Sequence, residues 1–227
     1  MNKCWLWNLG LIEYKQAYDL QVRLADLRYK KEIEDVLLVL EHPPTITLGK
    51  FGKIQNVLVG EEELSRLGIE VCLTNRGGDV SYHCPGQLVV YPIMDMRVRG
   101  GELRRFMQDL EKAVIETANY FDIAAETWKE HPGVWVGGKQ LAAIGLHFMR
   151  GISMHGIAFN INPPLDDFKV INLCGLPGKE ATSIAHLLNR NIDTNDVKPL
   201  FLDNLSRILC IKLEKLTNTQ IRGGILG

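Results

Sequence analysis

The densest run of chemically capable side chains is Arg76-Gly-Gly-Asp-Val-Ser-Tyr-His83-Cys-Pro-Gly-Gln87. Two adjacent glycines let a backbone approach a ligand closely and present its N–H groups. Arg76 adds a fixed positive charge, and His83 adds a donor or acceptor. Pro85-Gly86 marks a tight turn. The same run also reads as a hairpin with ordinary turn residues. His83 and Cys84 are chain neighbours, and neighbours on a strand point to opposite faces, so they make a weak metal pair or thiol–imidazole dyad.

Cys174 sits in Asn172-Leu-Cys-Gly-Leu-Pro-Gly-Lys179, ahead of a helical stretch at Thr182–Leu188. A thiol beside glycines in an exposed, electropositive setting suits a nucleophile. A small buried hydrophobe is the other reading, and it fits Cys4, Cys72 and Cys210 in their apolar runs. The five cysteines are odd in number and no pair has C-x-x-C spacing, so no zinc framework is expected and the thiols are read as free in a reducing compartment.

Gly133-Val-Trp-Val-Gly-Gly-Lys139 fits the opening of a phosphate loop. Gln140 stands where Ser or Thr is needed, and Val-Trp-Val reads as strand, so phosphate binding is excluded there. No G-x-G-x-x-G follows a strand, which removes a dinucleotide site. By themselves Lys139 reads as a solvated strand end, His155 as structural, and Arg104 and Arg105 as solvated.

These residues need elements to hold them. Ala17, Leu20, Leu24 and Leu27 predict a helix over 13–31, and Leu103, Phe106, Met107, Leu110, Val114 and Ala118 another over 102–121. Shorter helices are expected at Glu61–Leu67 and over 194–211. Val36–Leu40, Thr45–Leu48, Val71–Thr74, Leu88–Tyr91 and Ile93–Met96 read as strands, with a glycine-containing basic loop between Gly49 and Asn56. Val134–Val136, Leu141–Met149 and Ile157–Ile161 read as a strand meander. Strands and helices mix without strict alternation, so the fold class is α+β, a mixed β-sheet with packed helices.

At 227 residues with 46% hydrophobic and 23% charged, the chain can bury its own core, which excludes disorder; with no linker visible, residues 1–227 are read as one domain. The 26 basic and 27 acidic residues nearly cancel, giving no electrostatic reason to expect nucleic acid. The first residues make a poor signal peptide and no apolar run is long enough to span a bilayer, so a cytoplasmic location without a membrane partner is expected.

Three segments together resemble the lipoyl(octanoyl) transferases: residues 76–96, 133–162 and Ile171–Leu176, with weaker agreement at 41–50 and 178–188. The resemblance implies the fold of lipoate and biotin protein ligases. It implies an enzyme moving an octanoyl or lipoyl group from acyl carrier protein to a lysine of a lipoyl domain, in a 2-oxoacid dehydrogenase or the glycine cleavage H protein. No cofactor or metal is implied, and a monomer is expected. Cys174 matches the acyl-thioester nucleophile. Arg76, Gly77, Gly78, Asp79, Val80, Ser81, Tyr82 and His83 match the substrate-binding stretch. Ala143, Ile144 and Gly145, with Gly156, Ile157 and Ala158, match two strips lining the acyl slot. Glycine N–H groups at Gly77, Gly78 or Gly175 are candidates for the oxyanion, and Lys50, Lys53, Arg76 and Lys179 for a basic patch facing an acidic carrier.

Three departures stand out. Cys84 replaces glycine in the family's H-G-P-G-Q, and Leu173 replaces the proline before the nucleophile. The family also places a lysine before the apolar strand, where it lowers the cysteine's pKa. Ungapped, that position is Gln140, so Lys139 takes the role only if a bulge near Gly137-Gly138 turns it round. Lys139 is the expected catalytic partner of Cys174. The alternatives are an ATP-dependent ligase on the same fold, against which no G-R-G-R-x-G segment is present, and a non-catalytic lipoyl-domain binding module.

Overall fold

The computed structural model describes residues 2–129 and 131–217. The elements run β1 (Asn2–Leu11), α1 (Tyr14–Tyr29), β2 (Asp35–Glu41), β3 (Thr45–Leu48), α2 (Glu61–Arg66), β4 (Glu70–Leu73), β5 (Val80–His83) and β6 (Gln87–Ile93). They continue with α3 (Leu103–Asn119), β7 (Glu126–Thr127), β8 (Gly133–Val136), β9 (Lys139–Met149), β10 (Ile152–Asn160), α4 (Ile184–Leu188), α5 (Thr194–Ile208) and β11 (Ile211–Lys215).

Eight strands form one mixed sheet in the order β11-β1-β2-β6-β10-β9-β8-β7, and three form a smaller sheet, β4-β3-β5. This is the expected α+β architecture. The helix over 102–121 is observed as Leu103–Asn119 and that over 194–211 as Thr194–Ile208, capped by Asp193. No helix among the described residues is long and apolar enough to cross a membrane.

The large sheet is covered on both faces. On one, Leu37, Val39, Val90, Ile144 and Ile157 pack against Phe106, Leu110 and Val114 of α3 and Phe201 and Leu205 of α5. On the other, Leu38, Val89, Tyr91 and Ala158 pack against Ala17, Leu24 and Ala25 of α1. A third core lies under the small sheet, where Ile46, Val80 and Tyr82 meet Phe168, Val170 and Leu173.

Strands β1, β5, β7 and β11 have no counterpart in the sequence reading. β1 pairs in parallel with both β2 and β11. Cys4 faces one core while Trp5, Trp7 and Leu9 border the other, so both faces are apolar and the polar beat that marks a half-exposed strand is lost.

Pro92 has strand on both sides of it, as the sequence reading expects. It lies inside β6, between β2 and β10. A proline offers no N–H to a ladder. The register that pairs Ile157 with Val90, and Ile152 with Asp95, sets His155 opposite Pro92. There the ladder breaks: His155 takes φ +58 and donates its N–H to Gln21 Oε1 at 2.7 Å. Ser153 repairs the flank, donating its hydroxyl to the Pro92 carbonyl at 2.6 Å and accepting from the Met94 N–H at 3.0 Å.

Candidate active site

The helix α1, the smaller sheet and the β9–β10 hairpin enclose a cavity of about 210 Å³. Its floor is made by three cross-strand pairs of β9 and β10: Ala143 with Ala158, Ile144 with Ile157, and Gly145 with Gly156. Side chains alternate, so Ile144 and Ile157 point into the α3–α5 core and offer only backbone to the cavity. Ala143, Gly145 and Ala158 leave the space open. The glycines also permit close approach. A Cβ on Gly145 would sit 3.0 Å from the Gly77 carbonyl, and one on Gly156 only 2.2 Å from that of Val90.

The Arg76–Asp79 loop forms one wall. Arg76 is buried, and its guanidinium donates to the Thr47 hydroxyl and carbonyl and to the carbonyls of Gly77 and Asp79 at 2.6–3.0 Å. None of these hydrogen-bond partners is a carboxylate, although the Asp79 carboxylate acts on the guanidinium through space. On β5, Ser81 and His83 face the cavity while Tyr82 and Cys84 face the third core. Burial pushes the Cys84 thiol up to about 12. The weak Cys84–His83 pair is thereby dissolved.

The inner wall is polar but uncharged. His155 Nε2 donates to Asn75 Oδ1 at 2.8 Å, and its Nδ1 lies 3.4 Å from the Tyr14 hydroxyl, which donates to Thr74 Oγ1 at 3.2 Å. His42 donates from Nδ1 to the Ile12 carbonyl at 2.7 Å and accepts from the Tyr91 hydroxyl at 2.9 Å. Burial lowers His155 to about 3 and His42 to about 4, and holds His83 well below the usual imidazole range. All three are neutral at pH 7.

Cys174 occupies a tight turn, Leu173–Gly175, with φ +54. Asn172 ties this turn to the 53–57 loop, donating its N–H to the Asn56 carbonyl at 2.8 Å, and Asn56 in turn donates to Asp79 Oδ2 at 2.9 Å. The Gln140 amide donates to Cys174 Sγ at 3.1 Å. Burial, the largest influence, raises the thiol above its ordinary value; the Gln140 hydrogen bond and Arg76 act to lower it, and Asp79 to raise it.

Lys139, expected as the catalytic partner, is not there. Its ammonium pairs with Glu180 at 2.6 Å on the exposed side of β9. The reason is the position of the bulge. Val134 pairs with Ala142 but Trp135 with Gln140, so Leu141 is the extra residue. Leu141 and Ala142 both enter the α3–α5 core, and Gln140 is thereby turned toward the cysteine. Gly137 and Gly138 form only the hairpin turn, at φ +55 and +82. The Gln140 backbone is clamped as well: its N–H donates to the Glu180 carbonyl at 2.9 Å, and its carbonyl accepts from the Thr182 N–H at 2.9 Å.

Over residues 13–206 the sequence matches the lipoyl protein ligase A/B catalytic domain. The chain belongs to that family. An octanoyltransferase of Caldicellulosiruptor saccharolyticus is 43% identical over 199 residues, 87% of this chain and 83% of that protein. The mitochondrial octanoyltransferase of Arabidopsis thaliana is 40% identical over 83% of this chain and 79% of its own. Among solved structures, lipoate-protein ligase A bound with ATP superposes with a TM-score of 0.72 at 13% identity, covering 96% of this chain and 90% of that one. The bipartite lipoate protein ligase of Thermoplasma acidophilum gives 0.70 at 14%, with 97% and 89% covered. A biotin protein ligase of Aquifex aeolicus gives 0.53 at 14%, with 92% and 70% covered. At such identities these structures establish the shared fold.

Of the expected site residues, Cys174, Arg76–Ser81, His83, Ala143–Gly145 and Gly156–Ala158 all border the cavity, while Tyr82 faces the third core and Lys139 the exposed side of β9. Tyr14, Tyr91, His131 and Pro132 join them without having been singled out, as does His155, which the sequence alone read as structural. Of the oxyanion candidates, Gly77 donates its N–H to the Leu146 carbonyl and Gly175 to that of Asn172, both at 2.8 Å, which leaves Gly78. The basic patch also narrows. Arg76 is internal and Lys179 is half-buried, 4.5 Å over the ring of Trp128, whereas Lys50, 6.0 Å over Phe51, and Lys53 are exposed.

Proposed function

We propose that this chain transfers an octanoyl group from acyl carrier protein to a lysine of a lipoyl domain, through a thioester on Cys174. The observation that carries the reading is the Gln140–Cys174 contact at 3.1 Å beside a partly open cavity floored by small residues. A cavity of ~150 Å³ takes a six-carbon ring, so a saturated chain of eight carbons needs roughly 200 Å³. The cavity offers about 210 Å³.

In the first half-reaction Cys174 Sγ bonds to the thioester carbonyl carbon, the carrier's C–S bond breaks, and the cysteine's proton ends on the departing carrier thiol. An imidazole held at about 3 is a poor acceptor for a thiol proton, so His155 positions and does not act as the base. The departing carrier thiolate accepts that proton. The Gln140 amide orients the sulfur and stabilises its developing charge. The Gly78 N–H supports the carbonyl oxygen as it becomes an oxyanion. In the second half-reaction a neutral lysine amine attacks the acyl-cysteine, forming the amide and returning the thiol. The buried Arg76 cation favours the neutral form of an amine entering beside it.

Intact mass after incubation with octanoyl-acyl carrier protein, without ATP, tests this beside a Cys174→Ser variant. A gain of one octanoyl group, labile to hydroxylamine, absent in the variant and discharged by a lipoyl domain, is expected. Modification of the lipoyl domain only from free octanoate and ATP would replace this reading with ligation.

A further inference from the structure

Residues 49–58 form a lip beside the Cys174 turn, and its backbone is pinned at both ends. Gly49, Lys50 and Phe51 donate their N–H groups to the carbonyls of Asp79, Arg76 and Gly78 at 2.8–3.2 Å. Lys53 N–H donates to Asp79 Oδ1 at 3.1 Å, and Leu58 N–H to the Val170 carbonyl at 2.8 Å. Its side chains nevertheless face water: Phe51 is 67% exposed, Ile54 58% and Leu58 53%. Lys50 and Lys53 stand among them, and neither ammonium has a carboxylate within ion-pair distance among the described residues. Asp79, the nearest acid in the contact network, is engaged by Lys53 N–H and Asn56 Nδ2.

Contiguous exposed apolar side chains in a soluble protein mark a contact surface. A fixed backbone means that docking costs little ordering. Unpaired cations interleaved with apolar groups select an acidic partner with apolar side chains between its carboxylates.

We infer that the Lys50–Leu58 lip is the docking surface for the acidic carrier domain that delivers the acyl thioester to Cys174. This rests on the thioester-transfer reading above and adds the face the donor uses. The lip is continuous with the cysteine turn through Asn56 and Asn172, so a domain seated there holds its tethered acyl arm over the cavity. A lysine acceptor must instead bring its own backbone to the cavity mouth, because a lysine side chain is much shorter than a carrier's prosthetic arm. Beyond Gly60 the acidic run Glu61–Glu63 at the start of α2 bounds the positive surface.

The test compares the whole protein with two double variants, Lys50→Ala with Lys53→Ala, and Phe51→Ser with Ile54→Ser. Binding is read with a carrier bearing an inert octanoyl amide, and chemistry with a small neutral octanoyl thioester. Each double variant is expected to weaken carrier binding at least about tenfold, with equal melting temperature, an unchanged rate of Cys174 acylation from the small thioester, and an unchanged KM for the lipoyl-domain acceptor. The lysine variant should also lose most of the salt dependence of binding. Carrier binding within about twofold of the parent overturns the proposal, as does a rise confined to the acceptor's KM. Failure of the small thioester to acylate the parent protein overturns the transfer chemistry instead, and leaves the binding comparison to decide the lip.

Discussion

Replacing Gln140 isolates what the amide does for the nucleophile. Its backbone is clamped by Glu180 and Thr182, so a substitution changes the side chain with little movement of β9. In Gln140→Lys an ammonium takes the place of the amide that now lies 3.1 Å from Cys174 Sγ. At ~4 Å and an effective dielectric of about 20, opposite charges attract by roughly 4 kcal/mol, or about three pKa units. Dehydrating that ammonium near the buried Arg76 cation offsets part of this, so a fall of about one to two units is expected. In Gln140→Leu the sulfur loses its donor, and a hydrogen bond to a charged group is worth roughly 1.5–3 kcal/mol, so the thiol should rise by about one to two units. The assay is the rate of alkylation of Cys174 by iodoacetamide against pH, read by peptide mass so that the more accessible Cys72 and Cys210 are scored separately. The order of midpoints should be lysine lowest, glutamine between, leucine highest. The reasoning is refuted if the lysine and parent midpoints agree within about 0.3 units, or if leucine lies below glutamine.

Other outcomes follow from the same geometry. Ala143→Leu adds three carbons to the cavity floor, so acylation by octanoyl thioester should fall at least about tenfold relative to butanoyl thioester, measured as kcat/KM for the two donors. His42 and His155 are lowered to about 4 and about 3 from an unfolded value near 6.5. Their contribution to stability is full above pH ~6.5 and is lost as pH falls toward those folded values, because the unfolded chain binds the protons first. Urea unfolding should show a loss of several kcal/mol between pH 7 and pH 4, and a His42→Gln variant should reduce it. Asp35 bridges Arg28 and Arg99 at 2.8 and 3.0 Å with all three side chains largely buried. Asp35→Ala leaves Arg99 without an acidic partner among the described residues and Arg28 with only Asp95 at 4.0 Å, at a cost of about 3–5 kcal/mol, and thermal scans should show a drop of roughly 10 °C.

The parts of the site that could be read from the residues were those set by local pattern. The β8–β9–β10 meander follows from apolar runs split by glycines, whereas Ala143, Gly145, Gly156 and Ala158 are assigned to the acyl slot only through the family resemblance. Cys174 stands out through its glycine-rich surroundings. What stayed hidden depends on where one residue is gained or lost. Placing the bulge at Leu141 instead of the glycine pair decides between Lys139 and Gln140, and no side-chain type there signals it. Tyr82 fails for a similar reason: a continuous substrate-binding stretch on a strand must alternate, and one member has to face away. Tyr14, Tyr91 and His155 are assembled from α1, β6 and β10, so only the fold unites them. His155 carried one usable signal, its neighbour Gly156, but its turn into the cavity follows from Pro92 on another strand.

The pairing of β1 with β11 has a consequence for how the chain is made. Almost the whole described length separates these two strands, yet they lie side by side in parallel. As the polypeptide leaves the ribosome, β1 can engage β2 early, but its other edge stays open until residues 211–215 emerge. Throughout that interval a strand carrying Trp5, Leu6 and Trp7 presents unpaired amides to any other nascent chain. Synthesis speed over the last helix and strand, and a chaperone's hold on the first, therefore bear on the yield of folded protein more than the stability of the finished sheet does.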